Sequence, residues 1–519
     1  MSKCWIPQVS KLNYLRLFFF LLFALISGSV SLQAQPFEHT RPSVPAFGQE
    51  DDARIISGLL FNASSSELPF WLSANRGGMM PLDSGANTLF YQAYHTSLTQ
   101  TKSLWDIRAG GSFFAGYNDV NTQFGLTNLY VHLRRYGFRL SIGRYYEEIG
   151  FGAPHLSTGK MMVSRNARPP WRIGFYTDGY LEVPKTAGIL SVKARWSEGL
   201  FLEDRFIQNA NLHQKYAYIK IQPVSAFALE AGFVHNLVWG GRHPERGLMH
   251  RSFADYWDDV LGRADTPSVT PLGNGVLGYD GGITYRPEGA KGPELGFGRL
   301  FYVESGDNLR FRSPWDGLWS GWIQLPQPDT GFRFLDYVMY EHLNTKRQDA
   351  LEADLRGRGR YYTHEIWRDG WVHHSHVLGN ALLTLEPELL TTGERAVVNN
   401  MVIAHHIGLK GKLSKRMSWE SAFTYSRNYG DCSDQLPGIR SCHGRNGTML
   451  REREDYIPIG ELRKDRYSFY VGVSYDVAPK EFKQYGLHNL RLRASLAHDT
   501  GSFYRTSRTG AEIGFTSYF

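Results

Sequence analysis

The sequence TNLYVHLRRYGFRLSIG, residues 127–143, contains two runs of alternating residues separated by a short turn. Leu129, Val131 and Leu133 alternate with other side chains before the turn, and the two-residue period resumes at Phe138. A period of two places every apolar side chain on one face of a strand, so this segment predicts a β-hairpin with one apolar face.

The same alternation recurs along the chain, in residues 189–196, 216–233, 417–425, 467–475 and 490–496. After residue 30 no apolar stretch reaches the length of about 18 residues that a membrane-spanning helix requires. The apolar faces therefore contact either a second sheet, as in a soluble sandwich, or lipid, as in an outer-membrane barrel. The aromatic content of 14% and the aromatic ends of the strands favour the barrel.

The N-terminus has the pattern of an export signal. Lys3, Lys11 and Arg16 precede the apolar residues 17–26, and small polar residues follow as far as Ala34. Because this apolar segment is too short to span a bilayer, residues 1–34 are predicted to be a cleaved signal peptide rather than an anchor helix. Residues 35–519 are then predicted to form a single β-barrel domain in the cell outer membrane.

The C-terminus ends on an alternating strand. Ala511, Ile513 and Phe515 are spaced by two, and the chain stops at Phe519. This resembles the terminal strand by which the barrel assembly machinery recognises outer-membrane barrels, and Phe519 is the predicted assembly signal. If each strand with its connection takes about 27 residues, the mature chain has roughly 18 strands.

Two segments lack the strand pattern. Residues 252–263 have apolar residues at helical spacing, and residues 332–360 are rich in charge with scattered leucines. Both are predicted to be short helical elements that plug or cap the barrel. The predicted fold class is thus all-β, a transmembrane antiparallel β-barrel of about 18 strands with short helical plug or cap elements.

The charge is mildly basic. Three basic residues lie in the predicted signal peptide, so its removal reduces the formal charge from +7 to +4. Arginine outnumbers lysine 41 to 16, and a guanidinium group pairs bidentately with carboxylate and phosphate. Acidic sugars or the phosphates of lipopolysaccharide are the candidate partners of these arginines, but scattered surface charge explains their number better. Nucleic acid is not an expected partner of an exported chain with 50 acidic residues.

Two cysteines remain after the signal peptide, Cys432 and Cys442, in the segment CSDQLPGIRSC. Export exposes them to an oxidising compartment, and the Pro-Gly pair between them allows a turn. We predict a Cys432–Cys442 disulfide.

Four segments resemble the capsule assembly Wzi family as it occurs in Bacteroidetes-type bacteria. They are LPFWLSANRGG (68–78), GRYYEEIGFGAPHLSTGKMMVSRNARPPWRI (143–173), YEHLNTKRQ (340–348) and YYTHEIWRDGWVHHSHVLGN (361–380). The resemblance implies an outer-membrane barrel of about 18 strands that helps assemble or anchor capsular polysaccharide or exopolysaccharide at the cell surface, without catalysis.

These segments also contain the groups that an adhesin for an acidic polysaccharide needs, namely aromatic faces for sugar rings and arginines or amides for carboxylates and hydroxyls. The predicted polysaccharide-binding residues are Trp71, Asn75, Arg76, Arg165, Asn166, Arg168, Trp171, Trp367, Arg368 and Trp371. The alternative is that the tryptophans are core or rim residues, and that the arginines line the lumen and determine its electrostatic field.

No pattern of residues predicts a catalytic site. The segment HHSH places His374 and His376 on one face of a strand, but no carboxylate or cysteine stands at ligand spacing, so no metal and no cofactor is predicted. Glu147 and Glu148 are adjacent and point to opposite faces, which does not fit a glycosidase pair. The remaining alternatives are a non-enzymatic, polysaccharide-anchoring barrel and a porin or solute channel, which differ in whether a plug fills the lumen.

Overall fold

The structure is a computed structural model that describes residues 55–98, 105–118, 122–249, 252, 254, 256–257, 260, 273–287, 292–303, 311, 313–326, 332–348, 361–364, 366–431, 463–477 and 489–518. Its main feature is one antiparallel sheet that closes on itself. The barrel strands are β1 Ile55–Ser64, β2 Ala86–Ser97, β3 Asp106–Asn118, β4 Thr122–Arg135, β5 Phe138–Arg144, β6 Trp171–Thr177, β7 Leu190–Leu200, β8 Asn211–Val224, β9 Phe227–Trp239, β10 Gly273–Tyr285, β11 Glu294–Val303, β12 Gly317–Gln324, β13 Tyr337–Asn344, β14 Val402–Lys412, β15 Met417–Asn428, β16 Lys464–Val477, β17 Asn489–Gly501 and β18 Arg508–Tyr518.

Each barrel strand pairs with the next along the chain, and the first strand pairs with the last. In β1, Leu59 lies opposite Phe90 of β2 on one side and Phe515 of β18 on the other. The short strand Leu181–Glu182 also pairs with the edge of β7. A closed sheet has no free edge, and this closure confirms the predicted fold class, including its number of strands.

The hairpin at residues 127–143 forms as the alternation predicts. Strands β4 and β5 are joined by Tyr136 and Gly137, whose φ angles are 50° and 75°. Two successive positive φ angles are the geometry of a type I′ turn, whose twist matches that of the strands it connects. In register, Val131 faces Ile142 across the pair.

The alternation separates an outer face from an inner face. Val131 and Ile142 point outward and are 41% and 51% exposed. His132, the residue after Val131 in β4, points inward and is buried. Large apolar side chains point outward on most other strands too, including Phe297, Phe469 and Ile513. An apolar outer face around a closed sheet is what contact with lipid requires.

The two ends of the barrel differ in their connections. At one end, here the turn end, strands are joined by short segments such as 136–137, 225–226 and 413–416. At the other, here the loop end, the connections include 145–170 and 345–401. In outer-membrane barrels the short turns face the periplasm and the long loops face outward.

Four connections from the loop end fold back into the lumen and form a plug: 65–85, 145–170, 201–210 and 361–401. Their apolar side chains make one buried cluster with inward side chains of the wall. Regular structure in the plug is limited to the α-helix α1, Phe70–Ser73, the 3₁₀-helix Pro387–Leu389, and the paired short strands Val372–His373 with His376–Val377 and Thr384–Leu385 with Val397–Asn399. Among the described residues, no helix has the length and apolar character needed to cross a membrane.

The plug therefore comes mainly from other parts of the chain than predicted. In segment 252–263, Ala254, Tyr256, Trp257 and Val260 are helical, but they lie outside the lumen. Trp257 contacts the ring of outward-facing Trp196 on β7, with the ring centroids 5.8 Å apart. This segment covers part of the outer wall, close to the paired strands Arg242–His243 and Gly247–Leu248 of the same connection.

The prediction of a helical or plug-like element at 332–360 is wrong for Tyr337–Asn344, which form barrel strand β13. Its inward side chains Met339 and Glu341 alternate with outward Val338 and Tyr340, so a period of two is present within the charged segment. Residues 349–360 of that prediction lie outside the described residues.

Candidate functional site

Nine of the ten residues predicted to bind polysaccharide lie in the plug, and Trp171 begins wall strand β6. The structure does not bring them together in one site. Arg168 and Trp171 lie at the loop end, Asn166, Trp367 and Trp371 in the interior of the plug, and Trp71, Asn75, Arg76 and Arg165 around a cleft deeper in the lumen. Arg368 is on the surface.

The interior tryptophans hold the plug together. Trp367 and Trp371 are 1% and 0% exposed, which leaves them no surface for a ligand. The indole nitrogen of Trp371 donates a hydrogen bond to the Met162 carbonyl at 2.8 Å. Asn166 donates to the Val377 carbonyl at 3.1 Å. These contacts join two plug connections, 145–170 and 361–401, that are far apart in the sequence.

Arg368 is the most exposed of the ten residues. Its guanidinium contacts the Gly393 carbonyl, and its centre lies 5.9 Å from the ring of Phe206. It therefore projects from the plug surface close to an aromatic face.

Arg144 and Arg168 lie near each other at the loop end, and this pair with its aromatic neighbours is named the loop-end recess. Arg144 ends strand β5 and is buried, yet its Nε and Nη2 atoms have no hydrogen-bond partner. Its guanidinium lies 5.7 Å from the ring centre of Trp171. Arg168 donates from Nε to the Gly78 carbonyl at 3.0 Å, and its guanidinium lies 4.6 Å from the ring of Phe114. Each arginine thus sits beside an aromatic ring.

The recess has unbalanced positive charge. Burial and the nearby charge of Arg144 together lower the pKa of Arg168 to about 10, although Tyr146 acts in the opposite direction. Neither arginine forms an ion pair with a carboxylate in the described part of the chain. Two unpaired guanidinium groups in a partly buried recess favour the binding of an anion.

Beside this recess, Glu203, His373 and His374 place one ligand atom each within 4.8 Å of one another. His373 Nε2 lies 3.2 Å from Glu203 Oε2, and its Nδ1 lies 2.7 Å from the Arg168 carbonyl oxygen. Glu203 is the carboxylate that sequence spacing could not supply, because it comes from a different connection.

The histidines do not pair as the sequence predicted. His374 and Ser375 have φ angles of 47° and 61°, so they form a tight turn rather than a continuous strand. The turn brings His374 next to His373, with ring centroids 4.3 Å apart. His376 points elsewhere, and its Nε2 lies 2.9 Å from the Met80 carbonyl oxygen.

The charge around these three residues opposes a metal cation. Arg205 donates to Glu203 Oε1 at 2.8 Å. Burial raises the pKa of Glu203, but the nearby His373 and Arg205 have a larger opposite effect and hold this pKa below its usual value. Burial and the charges of His373 and Arg168 lower the pKa of His374 to about 3. Because Arg205 already occupies one carboxylate oxygen, this group fits the wall of an anion site better than a metal centre.

Glu147 has a structural role. Its carboxylate accepts hydrogen bonds from Arg195 at 2.9 Å, Arg172 at 3.4 Å and Arg139 at 3.5 Å. Burial favours the neutral acid, but Arg195, Arg139 and Arg172 outweigh it and hold the pKa of Glu147 below its usual value. A carboxylate held ionised by three wall arginines anchors the plug and is unsuited to donate a proton.

A second opening, the turn-end cleft, lies between the plug and the wall. It is open to solvent and is lined by residues that include Trp71, Asn75, Arg76, Lys160, Arg165 and Arg493. Four of the ten predicted residues therefore meet here. Lys160 and Arg493 were not predicted; Arg493 occupies an inward position of an alternating strand, which is a signal that the sequence does contain.

A closed antiparallel wall with an apolar outer face, a polar inner face and a plug defines the class of outer-membrane β-barrels. Of solved structures, Wzi of Escherichia coli, described as a carbohydrate-binding β-barrel involved in group 1 capsule assembly, aligns with a TM-score of 0.54 and 15% identity over 90% of this chain and 85% of that chain. OccD3 of Pseudomonas aeruginosa aligns with a TM-score of 0.45 and 10% identity over 91% and 92% of the two chains. OccK5 of the same organism aligns with a TM-score of 0.44 and 9% identity over 90% of this chain and 98% of that chain.

No protein-family model matches this sequence, and no curated protein matches it. The likeness to the E. coli Wzi barrel shows the fold, and the resemblance of the sequence to the Wzi family remains a prediction.

Proposed function

We propose that this outer-membrane barrel anchors an acidic capsular polysaccharide or exopolysaccharide at the cell surface and catalyses no reaction. The observation that supports this most directly is the loop-end recess, where Arg144 and Arg168 lack carboxylate partners beside Trp171 and Phe114. A sugar carboxylate between two guanidinium groups would gain charge-assisted hydrogen bonds, and the aromatic faces suit the apolar face of a sugar ring.

The plug argues against the alternative of an open solute channel. Its buried cluster includes Met161, Tyr361, Tyr362, Trp367 and Trp371, all at most 1% exposed. Side chains packed to this degree leave no continuous water path through the part of the lumen they occupy. An anchoring protein needs a rigid surface, which such a plug supplies.

Residence in the cell outer membrane, after cleavage of residues 1–34, is part of the same proposal. The apolar outer face supports contact with lipid and lipopolysaccharide, and the terminal strand β18 supports recognition by the barrel assembly machinery. The likeness to a barrel described as carbohydrate-binding adds support for a saccharide ligand.

The proposal is tested by polysaccharide retention in a deletion strain complemented with variants. Arg168→Ala with Arg368→Ala removes one guanidinium from the recess and one from the plug surface. We expect released polysaccharide to rise and cell-bound polysaccharide to fall, and each single variant to show a smaller effect. Lysine at both positions should restore retention only in part, because lysine keeps the positive charge but cannot form the bidentate hydrogen bonds of a guanidinium group.

The matched control is Arg416→Ala, an exposed arginine in the turn 413–416 at the opposite end of the barrel. It removes the same charge without touching the loop end and should leave retention unchanged. Equal amounts of each variant in the outer membrane must be verified. If the double alanine variant assembles normally and retains polysaccharide like the parent, these arginines are structural and the site assignment fails. Large conductance of the parent in planar bilayers would favour a channel instead.

A further inference from the structure

The turn-end cleft is separate from the loop-end recess and opens in the opposite direction. Along the inner face of β17, Asp499 and Arg493 are buried, while Arg491, nearer the turn end, is partly exposed. The same change occurs on β15, from buried Ser426 to partly exposed Ser418. On the β15–β17 side the plug therefore leaves the turn half of the lumen accessible, so the cleft is reached from the turn end. At β13 the plug extends further, because His155 contacts the buried Tyr337 at that end.

The lining of the cleft is rich in cations. Arg76, Lys160, Arg165 and Arg493 contribute positive charge, and Glu148 is the acidic residue of the lining. Lys160 donates to the Ala153 carbonyl at 3.2 Å and forms no ion pair with a carboxylate of the described residues.

Two of these arginines have carboxylate partners behind the lining. Arg76 donates from Nη2 to Glu512 at 3.1 Å, and Arg493 contacts Glu420. Arg165 instead lies over the ring of Tyr146, at 5.2 Å from its centre. Lys160 and Arg165 therefore account for the excess positive charge that a ligand would meet.

Two buried polar atoms in the lining lack hydrogen-bond partners. Arg76 is 5% exposed, yet its Nη1 has no hydrogen-bond partner, whereas Arg493 Nε lies 3.7 Å from Glu512 Oε1. Asn75 Oδ1 is also buried without a donor. Unsatisfied buried polar atoms are rare and mark places where a ligand or ordered water completes the bonding. One donor and one acceptor at the edge of a cationic cleft match a molecule that has both an anionic group and a hydroxyl.

We propose that the turn-end cleft binds an acidic saccharide, with its carboxylate on the arginines and a hydroxyl donating to Asn75 Oδ1. The edge of Trp71 and the Tyr470 ring supply the apolar lining that a sugar ring contacts. This inference does not depend on retention at the loop end, since no residue of the Arg144–Arg168 pair lines the cleft.

The test uses the purified full-length barrel in detergent and measures binding of digalacturonate, inorganic phosphate and neutral maltose by calorimetry. Arg165→Gln and Lys160→Gln remove the unbalanced charges without leaving a carboxylate unpaired. Each should raise the Kd for digalacturonate at least tenfold, and Arg165→Lys should have a smaller effect. Asn75→Gly, which keeps the left-handed backbone that Asn75 adopts at a φ of 56°, should weaken digalacturonate binding and leave phosphate unaffected.

Arg416→Ala, in the exposed turn 413–416 and outside the cleft lining, is the matched control and should not change the affinity for digalacturonate. Heat-modifiable gel mobility verifies that each variant is a folded barrel. Binding of phosphate without digalacturonate would overturn the assignment to a saccharide, and equal binding of maltose would overturn the role of charge. If digalacturonate binds the parent, Arg165→Gln and Lys160→Gln equally well, the cleft is not the site. Loss of surface polysaccharide in Arg168→Ala with intact cleft affinity would separate the two proposals.

Discussion

Replacement of Trp371 by alanine should open the plug while the wall stays folded. Trp371 is fully buried, and truncation of a buried tryptophan to alanine costs about 3–5 kcal/mol. The variant also leaves the Met162 carbonyl without its donor, which adds about 1 kcal/mol. Because each 1.4 kcal/mol is a factor of ten, a loss of about 4 kcal/mol raises the population of undocked plug roughly 1,000-fold.

The wall should tolerate this change because its strands are held by continuous pairing that Trp371 does not join. We expect limited proteolysis to cut connection 361–401 much faster in Trp371→Ala than in the parent, and we expect planar bilayers to show new conductance. Heat-modifiable gel mobility should remain that of a folded barrel.

The matched control is Trp315→Ala, because Trp315 is 63% exposed in the connection between β11 and β12. It removes the same side chain from the surface and should change neither proteolysis nor conductance. If Trp371→Ala resists protease and stays closed like the control, the plug is not held by its buried core, and the argument from packing is refuted.

Cleavage after Ala34 should give a mature N-terminus at residue 35, which mass spectrometry of the native protein would show; a mature chain that keeps residues 17–26 would contradict it. Cys432 and Cys442, which lie outside the described residues, should be found as a linked pair by peptide mapping without reductant, whereas alkylatable thiols in the native protein would exclude the disulfide. Deletion of Phe519, also outside the described residues, should lower the outer-membrane yield and raise periplasmic degradation, and an unchanged yield would argue against its role as an assembly signal.

The wall could be predicted from the sequence because its signal is local. The pair Val131 and Ile142 belongs to one hairpin, and alternation alone places both side chains on the outer face. Strand β13 escaped prediction because its inward side chains include apolar Met339 as well as Glu341, so polarity does not separate its two faces. Glu341 is buried and accepts hydrogen bonds from Ser157 at 2.6 Å and from Thr158 at 2.9 Å. An inward carboxylate bound by the plug is understandable only when the plug is known.

The plug itself could be predicted only in part. The sequence marks segments 68–78, 143–173 and 361–380 as unusual, and all three contribute to it. The sequence does not show how these segments are placed relative to one another. Glu203 meets His373 through a contact between different connections, and Arg168 comes near Arg144 from the far end of connection 145–170; neither proximity follows from a period in the sequence. The sorting of ten candidate residues into recess, interior, cleft and surface therefore required the structure.

The pairing of β1 with β18 has a consequence for biogenesis. Strand β1 is synthesised first but pairs with β18, which is synthesised last. A chain that ends before β18 therefore forms an open sheet with two unpaired edges. Such contacts between distant parts of a chain form slowly and expose strand edges to aggregation. Nonsense mutations near the 3′ end of the reading frame should thus be as damaging as early ones, and the chain should depend on periplasmic chaperones until its last strand arrives.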